Sequence, residues 1–278
     1  MNRKKLNIMI PQWQGGGQDL CTYYGAYALR DNYLTNAEVT ECSVSTEDIS
    51  PVKNDILGYD DILIQIGDVN RILREKDPDW IFTIGGGCDA DIPCAAYLNQ
   101  KAGGDMAMVY IDAHGDLNLP ETSDSKLFYG MSLRTLAGDG DSQIIEALGS
   151  TLRPDQLFMG AGRALDPEEV RFQKEHGVPA YTAEELEATP GLIADSIASA
   201  GYRAAYVHID LDSLDPKEFT LTPVPEEGGL KCDTLIEIVR QIQTVCEIKG
   251  FAIMEYAGTE TDRDNALIRE LTAIGLEI

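Results

Sequence analysis

Continuous apolar runs alternate with amphipathic segments along the whole chain. The apolar runs cover residues 6–10, 80–85, 107–112, 156–162, 204–210 and 250–256. A strand with one solvated face alternates apolar and polar residues, so unbroken runs indicate a parallel sheet that is covered on both faces. Amphipathic helices are predicted at 68–76, 167–176, 183–200 (interrupted by Pro190), 232–245 and 264–275. This alternation predicts an α/β protein, a three-layer α/β/α sandwich with a mostly parallel, doubly wound central sheet.

The length and composition narrow the class of protein further. The 278 residues contain no internal repeat, low-complexity tract or long linker, so we expect a single domain over residues 1–278. No apolar run is long enough for a transmembrane helix and no secretory signal is evident, which predicts a cytoplasmic protein that does not enter the membrane. The six cysteines form no CxxC pair and are expected to be free thiols.

The charge balance bears on the possible partners. There are 22 basic and 47 acidic residues, a formal net charge of −25. Such a charge repels nucleic acid and anionic membranes and attracts cationic solutes and metal ions, although acidity can also serve solubility alone.

Acidic residues and glycines follow four of the predicted strands. The motif DAHGD (112–116) follows the run at 107–111, GGGCD (85–89) ends the run at 80–85, DLDSLDP (210–216) ends the run at 204–210, and Glu255 closes the run at 250–256. Ligands of open α/β sheets bind outside the carboxyl ends of the strands, where these residues meet. The sequence therefore predicts a functional site at this edge of the sheet.

The first of these motifs has the side chains of a metal site. In an extended chain, Asp112, His114 and Asp116 would point to the same side. Carboxylates and imidazole suit a divalent first-row metal such as Mn²⁺, and buried acids are costly without a cation. The alternative interpretation is a solvated acidic turn that caps the following helix.

The second motif repeats this spacing. His208, Asp210 and Asp212 alternate along the chain and are expected to share one face. Together the two motifs supply enough ligands for two metal ions, which can lower the pKa of a bridging water. His208 lies two residues before Asp210, deeper in the predicted strand. We therefore expect a buried, hydrogen-bonded histidine there rather than a ligand.

These two motifs carry a family resemblance. DAHGDLN resembles the DAHxDxN motif, and HIDLDSLDP the DxDxxDP motif, of the arginase–agmatinase–formimidoylglutamase (ureohydrolase) family, with similarity from about residue 6 to the C-terminus. Members of that family hydrolyse a C–N bond of guanidinium or formimino compounds with a hydroxide that bridges two Mn²⁺ ions. The resemblance therefore implies an arginase-like fold, a metal-dependent hydrolase, a small cationic or amidine-bearing substrate, and a homo-oligomer, since family members commonly form trimers or hexamers.

The resemblance also implies residue roles. Asp112 and Asp210 would bridge the two metals, Asp116 would serve the first metal and catalysis, and His114 with Asp212 would bind the second metal. Glu255 matches the carboxylate that pairs with the substrate guanidinium, where a bidentate contact needs a carboxylate. Three loop residues match positions that contact the rest of the substrate: Asn118, Ser125 and Asp166.

Two positions depart from the family pattern. The family has GGDH where this chain has GGGC, so Cys88 replaces a histidine ligand of the first metal. Since Mn²⁺ prefers oxygen and imidazole to thiolate, Cys88 indicates a softer ion such as Zn²⁺ or Fe²⁺, or a weak or empty first position. Tyr129 occupies the position of a histidine thought to shuttle protons in arginases, and a phenol that titrates near pH 10 shuttles protons poorly at neutrality.

Two other functions compete with hydrolysis. Gly85, Gly87 and Ala90 fit a GxGxxA dinucleotide-binding pattern after a strand, but an isolated glycine pattern is weakly specific. A family member that binds a metal or a small ligand without catalysis would explain Cys88 and Tyr129. The intact carboxylates and His114 count against the loss of metal binding, because a buried acidic cluster without a cation is costly.

Overall fold

A single parallel sheet of eight strands forms the centre of the structure. The computed structural model describes residues 4–17 and 19–278, so residues 1–3 and 18 of the predicted domain lie outside it. In chain order the strands are β1 (Lys5–Ile10), β2 (Thr40–Glu41), β3 (Trp80–Gly85), β4 (Ala107–Ile111), β5 (Leu157–Gly160), β6 (Ala180–Tyr181), β7 (Ala204–Asp210) and β8 (Glu247–Met254). Their order across the sheet is β2-β1-β3-β8-β7-β4-β5-β6, with every pairing parallel.

Ten α-helices of the described chain cover the two faces of this sheet. They are α1 (Cys21–Tyr33), α2 (Tyr59–Lys76), α3 (Ile92–Lys101), α4 (Ser132–Leu136), α5 (Ser142–Leu148), α6 (Pro167–His176), α7 (Ala183–Ala188), α8 (Leu192–Ala200), α9 (Cys232–Val245) and α10 (Ala266–Glu277). One apolar core joins α1 and α7–α10 to one face of the sheet, and a second core joins α2–α6 to the other face. Within the described ranges, none of the helices is long and apolar enough to cross a membrane.

The predicted architecture is confirmed, and the sheet is wholly parallel. Strands β3 and β7 have the predicted bounds, as do helices α6 and α9. The predicted helix over 183–200 is two helices, because Pro190 cannot donate a backbone hydrogen bond and the chain breaks at residues 189–191. The two-residue edge strands β2 and β6 are too short to leave a pattern in the sequence.

The GGGC segment after β3 packs against the segment that follows β1. The Gly86 amide donates to the carbonyl of Ile10, and the Gly87 amide donates to the carbonyl of Gln12. A Cβ atom at residue 86 would lie 1.5 Å from the Gln12 carbonyl oxygen, so only glycine fits there. These glycines therefore bring two parts of the chain together beside the carboxyl edge of the sheet, which accounts for them without a dinucleotide.

Candidate metal centre

The predicted acidic residues meet at the carboxyl ends of β3, β4, β7 and β8. Within residues 4–17 and 19–278, three sets of possible ligand atoms lie within 4.8 Å of one another. The sets are Asp112–His114–Asp212, Cys88–Asp112–His208 and Cys88–Asp210–Glu255. Asp112 belongs to the first two sets, so its carboxylate lies between two neighbouring positions for a cation.

The first set is held together by its own hydrogen bonds. His114 Nδ1 lies 2.9 Å from an Asp212 carboxylate oxygen and 3.5 Å from Asp112 Oδ1. The other Asp212 oxygen accepts from the Ala113 amide at 3.0 Å. These contacts join the loop after β4 to the loop after β7 and bring the imidazole between two carboxylates.

The other two sets share the Cys88 thiol. Its Sγ atom lies 3.0 Å from Asp210 Oδ2 and 3.8 Å from Asp112 Oδ2. The Cys88 amide donates to Glu255 Oε1 at 3.2 Å, which fixes the glutamate beside the thiol. The predicted placement of Cys88 among the acids is therefore what the geometry shows.

The predicted extended geometry of the DAHGD motif is wrong. Strand β4 ends at Ile111, the His114 amide folds back to donate to Asp112 Oδ1 at 2.7 Å, and Asp116 has a φ of 52°. Asp116 belongs to none of the three ligand sets in the described chain. Its Oδ2 atom accepts instead from the Tyr110 hydroxyl at 2.5 Å, so a partner within the chain orients the carboxylate.

The second motif also departs from a continuous strand. His208 and Asp210 share a face of β7, but Leu211–Ser213 form a 3₁₀ turn in which the Asp212 amide donates to Asp210 Oδ1 at 2.7 Å. The predicted alternation therefore holds for His208 and Asp210 and fails for Asp212. The turn brings the Asp212 carboxylate to His114.

Burial and mutual repulsion dominate the electrostatics of the cluster. Burial raises the pKa of Asp210, Asp116 and Glu255 well above the usual range, and neighbouring carboxylates raise each pKa further. Burial and the charge of Asp112 raise the pKa of Asp212 to about 6. A divalent cation would offset this cost, because it favours the ionised form of every carboxylate around it.

His114 is the internal counter-charge of the cluster. Burial alone would lower the pKa of His114, but hydrogen bonds to Asp112 and Asp212 raise it overall. The same contacts lower the pKa of Asp112 despite its burial. The three groups thus form a charged network in the protein alone, and the same donor atoms suit a divalent ion.

Glu255 and Tyr129 line a common cleft beside the acidic cluster. Trp13 and Gly16, from the segment after β1, line the same cleft together with Val224. The PQWQGGG segment therefore forms part of the rim. Burial, followed by the charges of Asp116 and Glu255, raises the pKa of Tyr129 to about 12, so its phenol stays protonated near neutrality.

The three loop residues predicted to contact substrate divide into a pair and an isolated residue. Asn118 Nδ2 donates to Asp166 Oδ2 at 2.8 Å, which joins the loop after β4 to the start of α6. Ser125 is exposed, and its hydroxyl is 3.3 Å from that of Ser123. The substrate roles of all three stay predictions.

Arg163 holds together the loops around the metal centre. This residue was not identified from the sequence. Its guanidinium donates to the carbonyls of Asp212 and Glu226, both at 2.7 Å, and to those of Ala161 and Glu227, both at 3.0 Å. Its backbone amide donates to the carbonyl of Ala113 at 2.8 Å. Backbone carbonyls leave no residue-specific signal, so the role of this arginine is visible only in the fold.

Comparisons with known proteins agree with this architecture. A family model described as the arginase family matches residues 21–273. The chain belongs to the arginase family. A curated relative, the arginase of Staphylococcus aureus (strain MRSA252), is 26% identical over 217 residues, which are 75% of this chain and 72% of that relative.

Solved structures extend the similarity of this arginase-family chain to the whole fold. The arginase of Entamoeba histolytica in complex with L-ornithine superposes with a TM-score of 0.86 at 17% identity, covering 99% of this chain and 98% of the other. Proclavaminate amidino hydrolase from Streptomyces clavuligerus superposes with a TM-score of 0.69 at 22% identity, covering 99% and 89%. The family resemblance and the arginase-like fold predicted from the motifs are thus confirmed.

Proposed function

We propose that this chain is a divalent-metal-dependent hydrolase that cleaves a C–N bond of a guanidinium, amidine or formimino compound. The observation that carries the proposal is the position of Glu255. Its carboxylate shares a ligand set with Cys88 and Asp210 and also faces the cleft that Tyr129 lines. A carboxylate in this place can bind a planar cationic group directly beside the metal positions.

The described residues fit two divalent ions. Asp112, His114 and Asp212 would hold one ion, and Cys88, Asp112 and Asp210 would contribute to the other. When bound, such ions supply a Lewis acid and lower the pKa of a coordinated water to near neutrality. Mn²⁺ suits the carboxylate and imidazole set, whereas the Cys88 thiol favours a softer ion.

The residues of the chain would bind and orient the substrate. Glu255 would pair with the amidine or guanidinium group through parallel hydrogen bonds. Tyr129 is protonated near neutrality, so its phenol would donate a hydrogen bond across the cleft rather than shuttle a proton. Asp116, oriented by Tyr110, would accept a proton or a hydrogen bond at the reaction centre.

The far end of the substrate would meet the loop residues. Asn118 and Asp166 form a hydrogen-bonded pair that would bind an amine or a hydroxyl of the substrate, and the exposed Ser125 would add a further contact. We further propose a cytoplasmic single-domain protein that assembles as a homo-oligomer, on the basis of the family. These loops, rather than the metal ligands, would determine the choice among arginine, agmatine and related compounds.

A second candidate function is a metal- or ligand-binding protein without turnover. Cys88 and Tyr129 favour it, because both replace histidines of the family pattern. Glu255 counts against a protein that binds a metal alone, because its buried carboxylate also faces the cleft, where a metal has no need of it.

Product release from a substrate panel separates the two candidates. Urea, ammonia and formamide would be measured with arginine, agmatine, guanidinobutyrate and formiminoglutamate, each with Mn²⁺, Fe²⁺, Co²⁺, Ni²⁺ or Zn²⁺. We expect turnover of at least one substrate, and loss of at least 100-fold in Glu255→Gln. No product with any pair, from protein that holds its metal, would refute the hydrolase and favour the binding protein.

A further inference from the structure

His208 lies against the acidic cluster with an unused ring nitrogen. The residue is fully buried, at 0% exposure, in the middle of the sheet. Its Nδ1 atom lies 3.0 Å from Asp91 Oδ2, while its Nε2 atom has no hydrogen-bond partner among the described residues. Burial of an imidazole nitrogen without a partner costs free energy, and binding of a ligand to this atom would remove that cost.

His208 belongs to one of the three candidate ligand sets, and its Nε2 atom is the ring nitrogen left without a partner in the described part of the chain. Among the described residues, His208 forms a ligand set with Cys88 and Asp112, in which all three donor atoms lie within 4.8 Å of one another. Cys88 comes from the loop after β3, and His208 reaches it from β7 across β8, where its register partner is the small residue Ala252. The small side chain leaves room for the imidazole to face the thiol.

Two neighbours hold the ring in this orientation. The Tyr110 ring stacks on the His208 ring with centroids 4.0 Å apart and planes 10° apart. Asp91, at the start of α3, occupies the edge of the ring at Nδ1. A carboxylate that accepts from one ring nitrogen fixes the tautomer in which the other nitrogen can bind a metal, an arrangement typical of histidine ligands.

We propose that His208 Nε2, together with Cys88 and Asp112, binds a divalent ion at the first metal position, and that Asp91 is the positioning residue for this histidine. The first metal position lacks the family's histidine, because residue 88 is a cysteine, and the imidazole of His208 on β7 would take its place. The inference rests on the two-metal centre of the proposed function. His208 is buried and hydrogen-bonded, as expected from the sequence, and the proposal adds a ligand role for its second ring nitrogen. A thiolate, imidazole and carboxylate set favours Co²⁺, Zn²⁺ or Fe²⁺ over Mn²⁺ at this position.

Cobalt provides direct readouts in the wild-type chain. Protein loaded with Co²⁺ should show hyperfine-shifted imidazole signals from two of its three histidines, together with sulfur-to-cobalt charge-transfer absorption. Signals from one histidine alone would overturn the proposal. Ions bound without turnover would refute only the hydrolase, and a wild-type chain that binds no ion would overturn the present inference.

Three variants sharpen the test. His208→Asn should bind one Co²⁺ per chain where the wild type binds two, and should lose the charge-transfer band. Asp91→Asn, which conserves shape, should weaken the first ion by 10- to 100-fold, a typical effect of losing the partner of a histidine ligand. His176→Asn, at the end of α6, should behave as the wild type. Two tightly bound ions and an unchanged band in both His208→Asn and Asp91→Asn would overturn the proposal.

Discussion

Replacement of Arg163 by methionine should destabilise the chain strongly. The variant keeps the length of the side chain but loses four hydrogen bonds of 3.0 Å or less to the carbonyls of Ala161, Asp212, Glu226 and Glu227. Hydrogen bonds from a charged donor contribute roughly 1.5–3 kcal/mol each. Because the side chain is only half-buried, water replaces part of them, and we expect the free energy of unfolding to fall by about 4 kcal/mol.

Urea unfolding followed by circular dichroism measures this loss. Arg171→Met is the matched control, since that side chain is 58% exposed and its ion pair with Glu168 lies at the surface. An exposed ion pair contributes at most about 1 kcal/mol, so the control should stay within that range of the wild type. An Arg163→Met protein as stable as Arg171→Met would refute the idea that this guanidinium holds the loops together.

Two further predictions concern protonation. Tyr129→His should add a group that titrates near pH 6.5 to the pH–rate profile, and turnover should rise above that pH. The reason is that a neutral imidazole can accept a proton, whereas the phenol, with a pKa of about 12, cannot. An unchanged profile would show that the residue at this position takes no part in proton transfer. Burial lowers the pKa of Lys5 to about 8, so the folded chain releases this proton at lower pH than the unfolded chain does. The free energy of unfolding of the wild type, relative to that of Lys5→Met, should therefore rise from pH 8 to pH 10.5 and stay constant below pH 7. Urea titrations at several pH values measure this difference. A difference that stays flat or falls between pH 8 and pH 10.5 would contradict the burial of this ammonium.

The fold was predictable because its signals are local and repeated. Strand β4 is buried throughout and reads as an unbroken apolar run, and α9 presents an apolar stripe of helical period. Helix α1 was missed because its polar residues and several tyrosines obscure that period. The edge strands β2 and β6 have two residues each, fewer than any periodic pattern needs.

The meeting of the acidic residues at one edge of the sheet was predictable, and their geometry was not. Acidic residues after neighbouring parallel strands must meet, which is why Asp112 and Asp212 lie around one imidazole. The turns that follow the strands depend on tertiary hydrogen bonds, such as the contact of Asp116 with Tyr110, and no spacing rule reports them. The pairing of His208 with Asp91 joins residues 117 positions apart, so only the folded chain shows this contact and the ligand set that His208 shares with Cys88 and Asp112.

The metal content of an Asp112→Asn protein tests the central claim most directly. Asp112 belongs to both ligand sets that contain a histidine, so its loss should impair both metal positions. Equilibrium dialysis against Co²⁺ and against Mn²⁺, followed by metal analysis, would compare this variant with the wild type and with Asp105→Asn, an exposed acid before β4. We predict two Co²⁺ ions per chain in the wild type and in Asp105→Asn and none in Asp112→Asn; equal metal content in all three proteins would contradict the account.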